Sequence, residues 1–250
     1  MSDGKMCFDM KLSCFVIAGL VFLLFSHCCC AQQSTDTSIY HESVSRLQQV
    51  YLKGIEDNAE IYHGSEYIRN GRQANGFPFF ESDNLLAGSV SYQGIIYTSQ
   101  NLQYDIVTDE LIIPNYTKNA LIVLPPRKVD SFSINAHVFV NLESNASNQL
   151  PVDGYYEQLY SGEPAVYVKR VKKLASGTGS EEAKYIQYNN FFVRLKNVYY
   201  PIDGKSSLLE VLKDENDALR KYIHANKLNF KKNPESALVL SATYYSQLKH

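Results

Sequence analysis

The sequence predicts a mainly β protein of the α+β class, a curled antiparallel meander sheet or partial barrel covered by C-terminal helices. Three observations support this fold class. Short runs of alternating apolar and polar residues follow one another between Leu85 and Tyr200, as expected of half-buried strands. The gaps between these runs are too short for crossover helices, which favours antiparallel pairing. After residue 204, apolar residues recur at helical spacing instead.

The alternation is clearest in the stretch Leu85–Leu142. Val90 and Tyr92 alternate with polar residues, and Leu102 and Tyr104 repeat the pattern. Further strands are predicted at residues 111–113, 120–124, 129–134, 138–142, 154–160, 165–173, 184–195 and 198–200. Residues 176–182, rich in Gly and Ser, are predicted to form a flexible hairpin tip, and residues 61–80 an ordered loop that leads into the sheet.

Two sequence signals predict the helices that cover the sheet. Ser207-x-x-Glu210 has the sequence of a capping box, and leucines at helical spacing follow it. Asn233-Pro234 predicts the start of a last helix, because Asn is a good N-cap and Pro is tolerated at the first helical position.

Residues 1–31 are predicted to be a signal peptide. The apolar run Cys14–Phe25 is short for a membrane span, which needs about 20 residues. The small residues Cys29 and Ala31 place the cleavage site between Ala31 and Gln32. Two alternatives remain open: an uncleaved anchor formed by residues 12–31, and a lipid anchor on Cys28, Cys29 or Cys30.

All five cysteines precede Gln32, so cleavage there would leave a mature chain without any. Such a chain has no disulfides, thiol nucleophiles or cysteine–zinc sites, and its core alone must stabilise it. The predicted organisation is a signal peptide at 1–31, a tether with a short helix at 32–60, a β domain at 61–204, and helices at 205–250 packed on the sheet of the same domain.

The charge balance argues against a nucleic-acid partner. The chain carries 24 basic and 26 acidic residues, a net charge of −2. Its nearest basic cluster, formed by Lys169, Arg170, Lys172 and Lys173, is interpreted as a solvated edge strand. The 19 tyrosines suit strands and binding surfaces alike.

The candidate site residues are Asp105, Asp109 and Glu110, the closest group of acids. Two neighbouring carboxylates could perform acid–base chemistry in a glycosidase. The structural interpretation is that Asp109 and Glu110 lie in a β-turn and that Asp105 points outward from a strand. No P-loop, dinucleotide fingerprint or nucleophile elbow is present, and no histidines lie at metal-ligand spacing, so we predict no cofactor and no metal. His137 is expected to be a core or edge histidine.

Several stretches together resemble a group of exported, tyrosine-rich proteins of bacteria of the Bacteroidetes type, for which no activity is assigned. The stretches are IYHGSEY at Ile61–Tyr67, PFF at Pro78–Phe80, GSVSYQGIIY at Gly88–Tyr97, LQYDIVTDELII at Leu102–Ile113 and GYYEQLYSG at Gly154–Gly162. The resemblance implies a location in the bacterial cell envelope, and it implies no catalytic residue.

We therefore expect an exported protein of the periplasm or cell envelope with a non-enzymatic binding or assembly role. Its expected partner is an apolar ligand or another envelope protein, with membrane contact only through an uncleaved or lipidated N-terminal segment. The alternative is an exported glycan-acting hydrolase or a glycan-binding surface module. An apolar cavity under the helices would favour the first reading, and two carboxyls about 5 to 9 Å apart in a cleft would favour a hydrolase.

Overall fold

The computed structural model describes residues 43–44, 46–47, 50–51, 54, 59–69, 74–177 and 182–249. The chain divides into two compact units, residues 1–51 and 52–250. The described residues of the first unit are helical, and Leu47 and Tyr51 there are exposed. The predicted signal peptide, its cleavage site between Ala31 and Gln32, and residues 178–181 of the predicted hairpin tip lie outside the described residues.

The second unit is built on one open sheet of eleven strands, all paired antiparallel, which confirms the predicted fold class. The strands are β1 (Ser65–Glu66), β2 (Leu86–Tyr92), β3 (Ile95–Asp105), β4 (Glu110–Pro114), β5 (Leu121–Val123), β6 (Val129–Ile134), β7 (His137–Leu142), β8 (Gly154–Tyr160), β9 (Ala165–Ala175), β10 (Lys184–Leu195) and β11 (Val198–Ile202). Strand β1 lies within the predicted loop 61–80, and two residues are too few to show an alternating pattern.

The strand order is β1-β5-β4-β3-β2-β6-β7-β8-β9-β10-β11, so most neighbours in the sheet are also neighbours in the chain. Tight turns make this meander. Gln93 and Gly94 between β2 and β3, and Lys196 and Asn197 between β10 and β11, all have positive φ angles. Two such residues in succession give the turn whose twist matches that of antiparallel strands.

The sheet curls until the end of β3 meets β9, although four strands separate them in the sheet order. The backbone amide of Lys172 in β9 donates a hydrogen bond of 2.9 Å to the carbonyl of Ile106, directly after β3. The segment before β2 fills the adjoining space, where Phe80 donates its amide to the carbonyl of Tyr104 over 2.8 Å. The first of these hydrogen bonds holds the turn between β3 and β4 against β9.

The two faces of the sheet carry different cores. The inner face, which we define by Phe139, Tyr155 and Val166, holds an aromatic cluster in which Phe132 and Phe139 stack at 4.8 Å and Tyr155 packs edge-on against Phe132 at 5.0 Å. The outer face, defined by Tyr156, Tyr167, Phe192 and Tyr199, holds a smaller cluster. Alternation along each strand separates the two sets of side chains.

Three helices follow the sheet: α1 (Lys205–Val211), α2 (Asn216–Ala225) and α3 (Pro234–Lys249). They pack on the inner face at β8, β9 and β11, where Val166 and Val193 lie against Leu208, Leu219 and Leu238. Helix α3 begins at Pro234 as predicted. The predicted position of Ser207 at an N-cap is wrong, because α1 begins at Lys205. The Ser207 hydroxyl still accepts the backbone amide of Asp203 over 3.0 Å, from inside the first turn.

The prediction of a solvated edge strand for Lys169–Lys173 is also wrong. Strand β9 lies between β8 and β10, and Lys169 and Arg170 are only 7% and 6% exposed. These charges are tolerated in the interior because each one has an acidic partner, as described below.

Candidate functional site

A cavity of about 630 Å³ lies among β8–β11, at the point where β11 ends and leaves the rest of β10 uncovered on that side. Its walls come from Gln149, Pro151 and Val152, from these four strands, from the turn after β11, from Phe230 before α3, and from Pro234 and Leu238 in the first turns of α3. Small-molecule sites typically measure about 300 to 1,000 Å³. The cavity therefore has the size of a ligand site.

The cavity has a buried floor and an exposed polar rim. The floor is formed by Tyr156, Lys169 and Phe192 of the outer face, each at most 7% exposed, and the buried Ile202 and Leu238 of the inner-face core form a second wall. The rim contains Gln149, Asn189, Asn190 and Asp203, which are exposed. A mainly apolar floor with a few polar groups around it is the usual composition of a site for a small organic molecule.

Strand alternation explains why aromatic and charged side chains share this floor. Lys169 of β9 pairs with Asn190 of β10, so both side chains lie on the outer face, and Phe192 follows two residues later on the same face. The ring of Tyr156 packs edge-on against Phe192 at 5.6 Å, and its hydroxyl donates to the carbonyl of Val152 over 2.7 Å. The loop at Val152 is thereby fixed as one wall.

Strand β10 presents an unpaired backbone edge to the cavity. Strand β11 pairs only with Phe191–Leu195, and Tyr185 donates its amide to the carbonyl of Asn75 over 3.2 Å on the same edge. Backbone groups of alternate residues point to the same edge of a strand, so the N–H and C=O of Gln187 and Asn189 face it too. Within the described residues no strand pairs with them there. Asn189 therefore brings a backbone donor and acceptor to the cavity.

Lys169 brings a positive charge to the floor. Its Nζ donates to Oδ2 of Asp109 over 2.6 Å and to the carbonyl of Tyr155 over 3.1 Å, and it lies 4.9 Å from the centre of the Tyr156 ring. Burial lowers the pKa of Lys169, while the charge of Asp109 opposes that shift. The positive charge of Lys169 is therefore balanced by Asp109, which does not itself line the cavity.

Asp109 is fixed by several donors at once. It has a positive φ of 66° in the turn between β3 and β4, and its Oδ1 accepts the Tyr104 hydroxyl over 2.5 Å. Oδ2 accepts Lys169 and, at 3.3 Å, the backbone amide of Tyr155. Burial and the charge of Asp109 raise the pKa of Tyr104 well above its usual 10.0, so the phenol stays a donor. This predicted site residue joins β3 and β4 to β8 and β9.

The other two acidic candidates, Asp105 and Glu110, form hydrogen bonds within the turn between β3 and β4. Asp105 is 3% exposed, so the expectation that it points outward is wrong. Tyr67, directly after β1, donates its hydroxyl to Asp105 over 2.8 Å, and the Val107 amide donates to Asp105 at 2.8 Å. Glu110 accepts the Thr108 hydroxyl over 2.8 Å at the surface. Neither these two residues nor Asp109 lines the cavity.

A second charge network, centred on the buried Arg170 and Glu157, links the sheet to α3. Arg170 donates to Glu157 over 2.6 Å and to Glu235 over 2.6 Å. His137 lies with Nδ1 2.5 Å from Glu157 and Nε2 3.0 Å from Glu81. Burial alone would lower the pKa of Arg170, but hydrogen bonds and attraction from both carboxylates raise it. Each charged group of this network already bonds to another member. We therefore infer that the network holds α3 against the sheet.

Two classes of feature are missing from the described part of the chain. No group of three or more His, Cys, Asp or Glu residues there is arranged to hold a metal ion. None of its helices is long and apolar enough to cross a membrane.

The sequence did not point to the residues that form the cavity. Tyr156, Phe192 and Asn190 lie in correctly predicted strands, but alternation says which side chains share a face and not where a neighbouring strand ends. Lys169 offered one signal: a lysine between Val168 and Arg170, at the centre of an apolar strand pattern, has to find a partner if that strand is buried.

Comparison with known proteins gives no relative from which a role could be transferred. A scan against protein-family models, a search among curated proteins and a search among solved structures each found no match. The resemblance to exported tyrosine-rich proteins stays a prediction, and the cavity is interpreted from its own geometry.

Proposed function

We propose that the protein is an exported protein of the cell envelope that binds an apolar ligand in this cavity without transforming it. The cavity is the observation that carries the proposal, because about 630 Å³ greatly exceeds the roughly 30 Å³ share of one water molecule. Burying an apolar group against the aromatic and aliphatic lining is favourable, because both apolar surfaces are removed from water. Export rests on the predicted signal peptide and on the resemblance.

The glycan-acting alternative receives less support. A glycosidase needs two carboxyls across a cleft, about 5 to 9 Å apart. Asp109 is held by Tyr104 and Lys169, Asp105 is held by Tyr67, and neither lines the cavity. A glycan-binding module would present exposed aromatic rings on one flat face.

Exposed tyrosines do occur, but on separate elements. Tyr116 is 41% exposed between β4 and β5, and Tyr188 is 47% exposed on β10. A single flat platform would require neighbouring rings, so this alternative is not our proposal.

Binding of the fluorescent apolar probe N-phenyl-1-naphthylamine to the purified protein tests the proposal. We expect saturable fluorescence enhancement and displacement by long-chain lipids. Native mass spectrometry of the protein purified from its own source should show added mass that is lost on denaturation. A protein that neither enhances the probe nor retains added mass would contradict an apolar-ligand role.

A matched pair of variants locates the site. Val171 of β9 lines the cavity, so Val171→Phe should fill it and weaken probe binding tenfold or more. Val138→Phe makes the same change on β7 at a position that is 44% exposed and outside the lining. Equal affinity for the probe in the two variants would place the ligand elsewhere.

A further inference from the structure

The polar groups of the cavity indicate what kind of ligand it takes, given the proposed function on which this inference rests. An ammonium group has three N–H donors. Those of Lys169 meet Asp109 and the carbonyl of Tyr155, and no third acceptor lies within hydrogen-bond distance among the described residues. Lys169 lines the cavity beside the Tyr156 ring, so the remaining donor is available to a ligand there.

The charge at the floor is already balanced. Lys169 contributes one positive charge and Asp109 one negative charge, and Asp109 is bound in addition by Tyr104 and the Tyr155 amide. A second carboxylate beside this pair would make the buried floor net negative, and desolvating it would be costly. An uncharged acceptor, such as a carbonyl oxygen, can take the free donor without that penalty.

The rim adds polar groups that also suit an uncharged ligand. The side chain of Asn190 lies on the same face as Lys169, directly opposite it across β9 and β10. The backbone of Asn189 offers one donor and one acceptor at the free edge of β10. Neither asparagine carries a charge, and together they can bind carbonyl and hydroxyl groups. The rim also contains Asp203, whose negative charge disfavours an anionic head group.

We propose that the ligand is an acyl chain joined to an uncharged head group through an ester or amide. Its carbonyl oxygen accepts a hydrogen bond from Lys169, and its chain covers the floor at Tyr156 and Phe192. The head group lies at the rim, beside Asn189 and Asn190. Free fatty acids, which share the chain but carry a carboxylate, bind less tightly.

The test compares three probes with the same twelve-carbon chain at pH 8: glycerol monolaurate, laurate and dodecane. Each competes with N-phenyl-1-naphthylamine for the full-length protein. We expect glycerol monolaurate to displace the fluorophore at least tenfold more effectively than laurate. Equal or stronger displacement by laurate would overturn the head-group inference and leave the apolar-ligand role intact. Failure of all three to displace the fluorophore would count against the proposed function itself.

Variants assign the preference to Lys169. Lys169→Met keeps the length of the side chain but removes the donor, and it should cut the affinity for glycerol monolaurate about tenfold while changing that for dodecane less than twofold. Lys173→Met, on the same face of β9 but exposed, is the control. Because Asp109 loses its partner in Lys169→Met, Asn190→Leu provides a second test at an exposed rim position. An unchanged monolaurate-to-laurate ratio in both Lys169→Met and Asn190→Leu would refute the assignment.

Discussion

Lys169 and Asp109 form an ion pair of 2.6 Å that joins β9 to the turn between β3 and β4. The pair lies where the curled sheet brings these distant elements together, and Lys169 also forms part of the cavity floor. One contact therefore stabilises the curl and sets the charge of the candidate site. The two roles can be separated by measuring stability and binding on the same variants.

Removing the cation should destabilise the fold. We expect Lys169→Met to lower the free energy of unfolding by about 2 kcal/mol, less than a fully buried pair would lose, because Asp109 keeps partial contact with water. Urea denaturation measures this loss, with Lys173→Met as the control. In the double variant Lys169→Met/Asp109→Asn the two losses should be less than additive, since Asp109 is no longer left unpaired. Strictly additive losses would show that the pair is not coupled.

Replacing Gly154 even by alanine should destabilise the protein. Its φ is +127°, and an added Cβ would lie 1.9 Å from Oδ2 of Asp109 and 2.6 Å from Nζ of Lys169. Gly154→Ala must therefore strain the backbone and separate the ion pair, and we expect a loss of roughly 3 kcal/mol. Gly94→Ala is the matched control, because Gly94 also has a positive φ, +75°, but nothing lies within 4 Å of its Cβ. Thermal denaturation measures both variants. A similar decrease in melting temperature would mean that backbone strain, and not separation of the Lys169–Asp109 pair, causes the loss.

The network around Arg170 should hold α3 against the sheet. Arg170→Met leaves the buried Glu157 without its guanidinium partner and releases Glu235 of α3, so we expect a loss of about 3 kcal/mol. Hydrogen exchange should become faster in α3. Arg194→Met serves as the control, because Arg194 stacks on Tyr167 and has no ion pair among the described residues. If hydrogen exchange in α3 were unchanged in Arg170→Met, the network would not be what holds α3 against the sheet.

The buried tyrosines predict loss of stability at alkaline pH. Burial, followed by nearby carboxylates, raises the pKa of Tyr67, Tyr104, Tyr155 and Tyr156, and burial with Asp214 raises that of Tyr245 to about 12. The contribution of these tyrosines to the free energy of unfolding is complete below pH 10.0, the usual pKa of tyrosine. It is lost as the pH rises through their raised pKa values in the folded protein.

The buried Lys169 and the half-buried Lys172 have the opposite effect on stability. Burial lowers the pKa of Lys169 and Lys172, so their contribution to the free energy of unfolding increases as the pH approaches 10.5, the usual pKa of lysine. More tyrosines than lysines are affected, so we expect the free energy of unfolding to fall above about pH 10. Urea denaturation at pH 8 to 11, with tyrosinate absorbance recorded in parallel, tests this. Constant stability up to pH 11 would contradict the burial of these phenols.

Much of the fold was predictable because alternation records which face of a strand is buried. The predicted bounds of β6 and β10, 129–134 and 184–195, match the structure, and the helical spacing of Leu208, Leu219 and Ile223 marks residues that are buried. The candidate site was not predictable. Lys169 and Asp109 meet only because the sheet curls, and the curl depends on packing between strands that no local pattern describes.

The contact between β9 and the turn after β3 also bears on how fast the protein folds. From β6 to β11 each strand pairs with the next along the chain, and such hairpins close short loops. Lys169 and Asp109, in contrast, are 60 residues apart, so their pairing must close a long loop at greater entropic cost. We therefore expect the hairpins to form first and the closure of the curl to be the slow step, so that the cavity floor is completed late in folding.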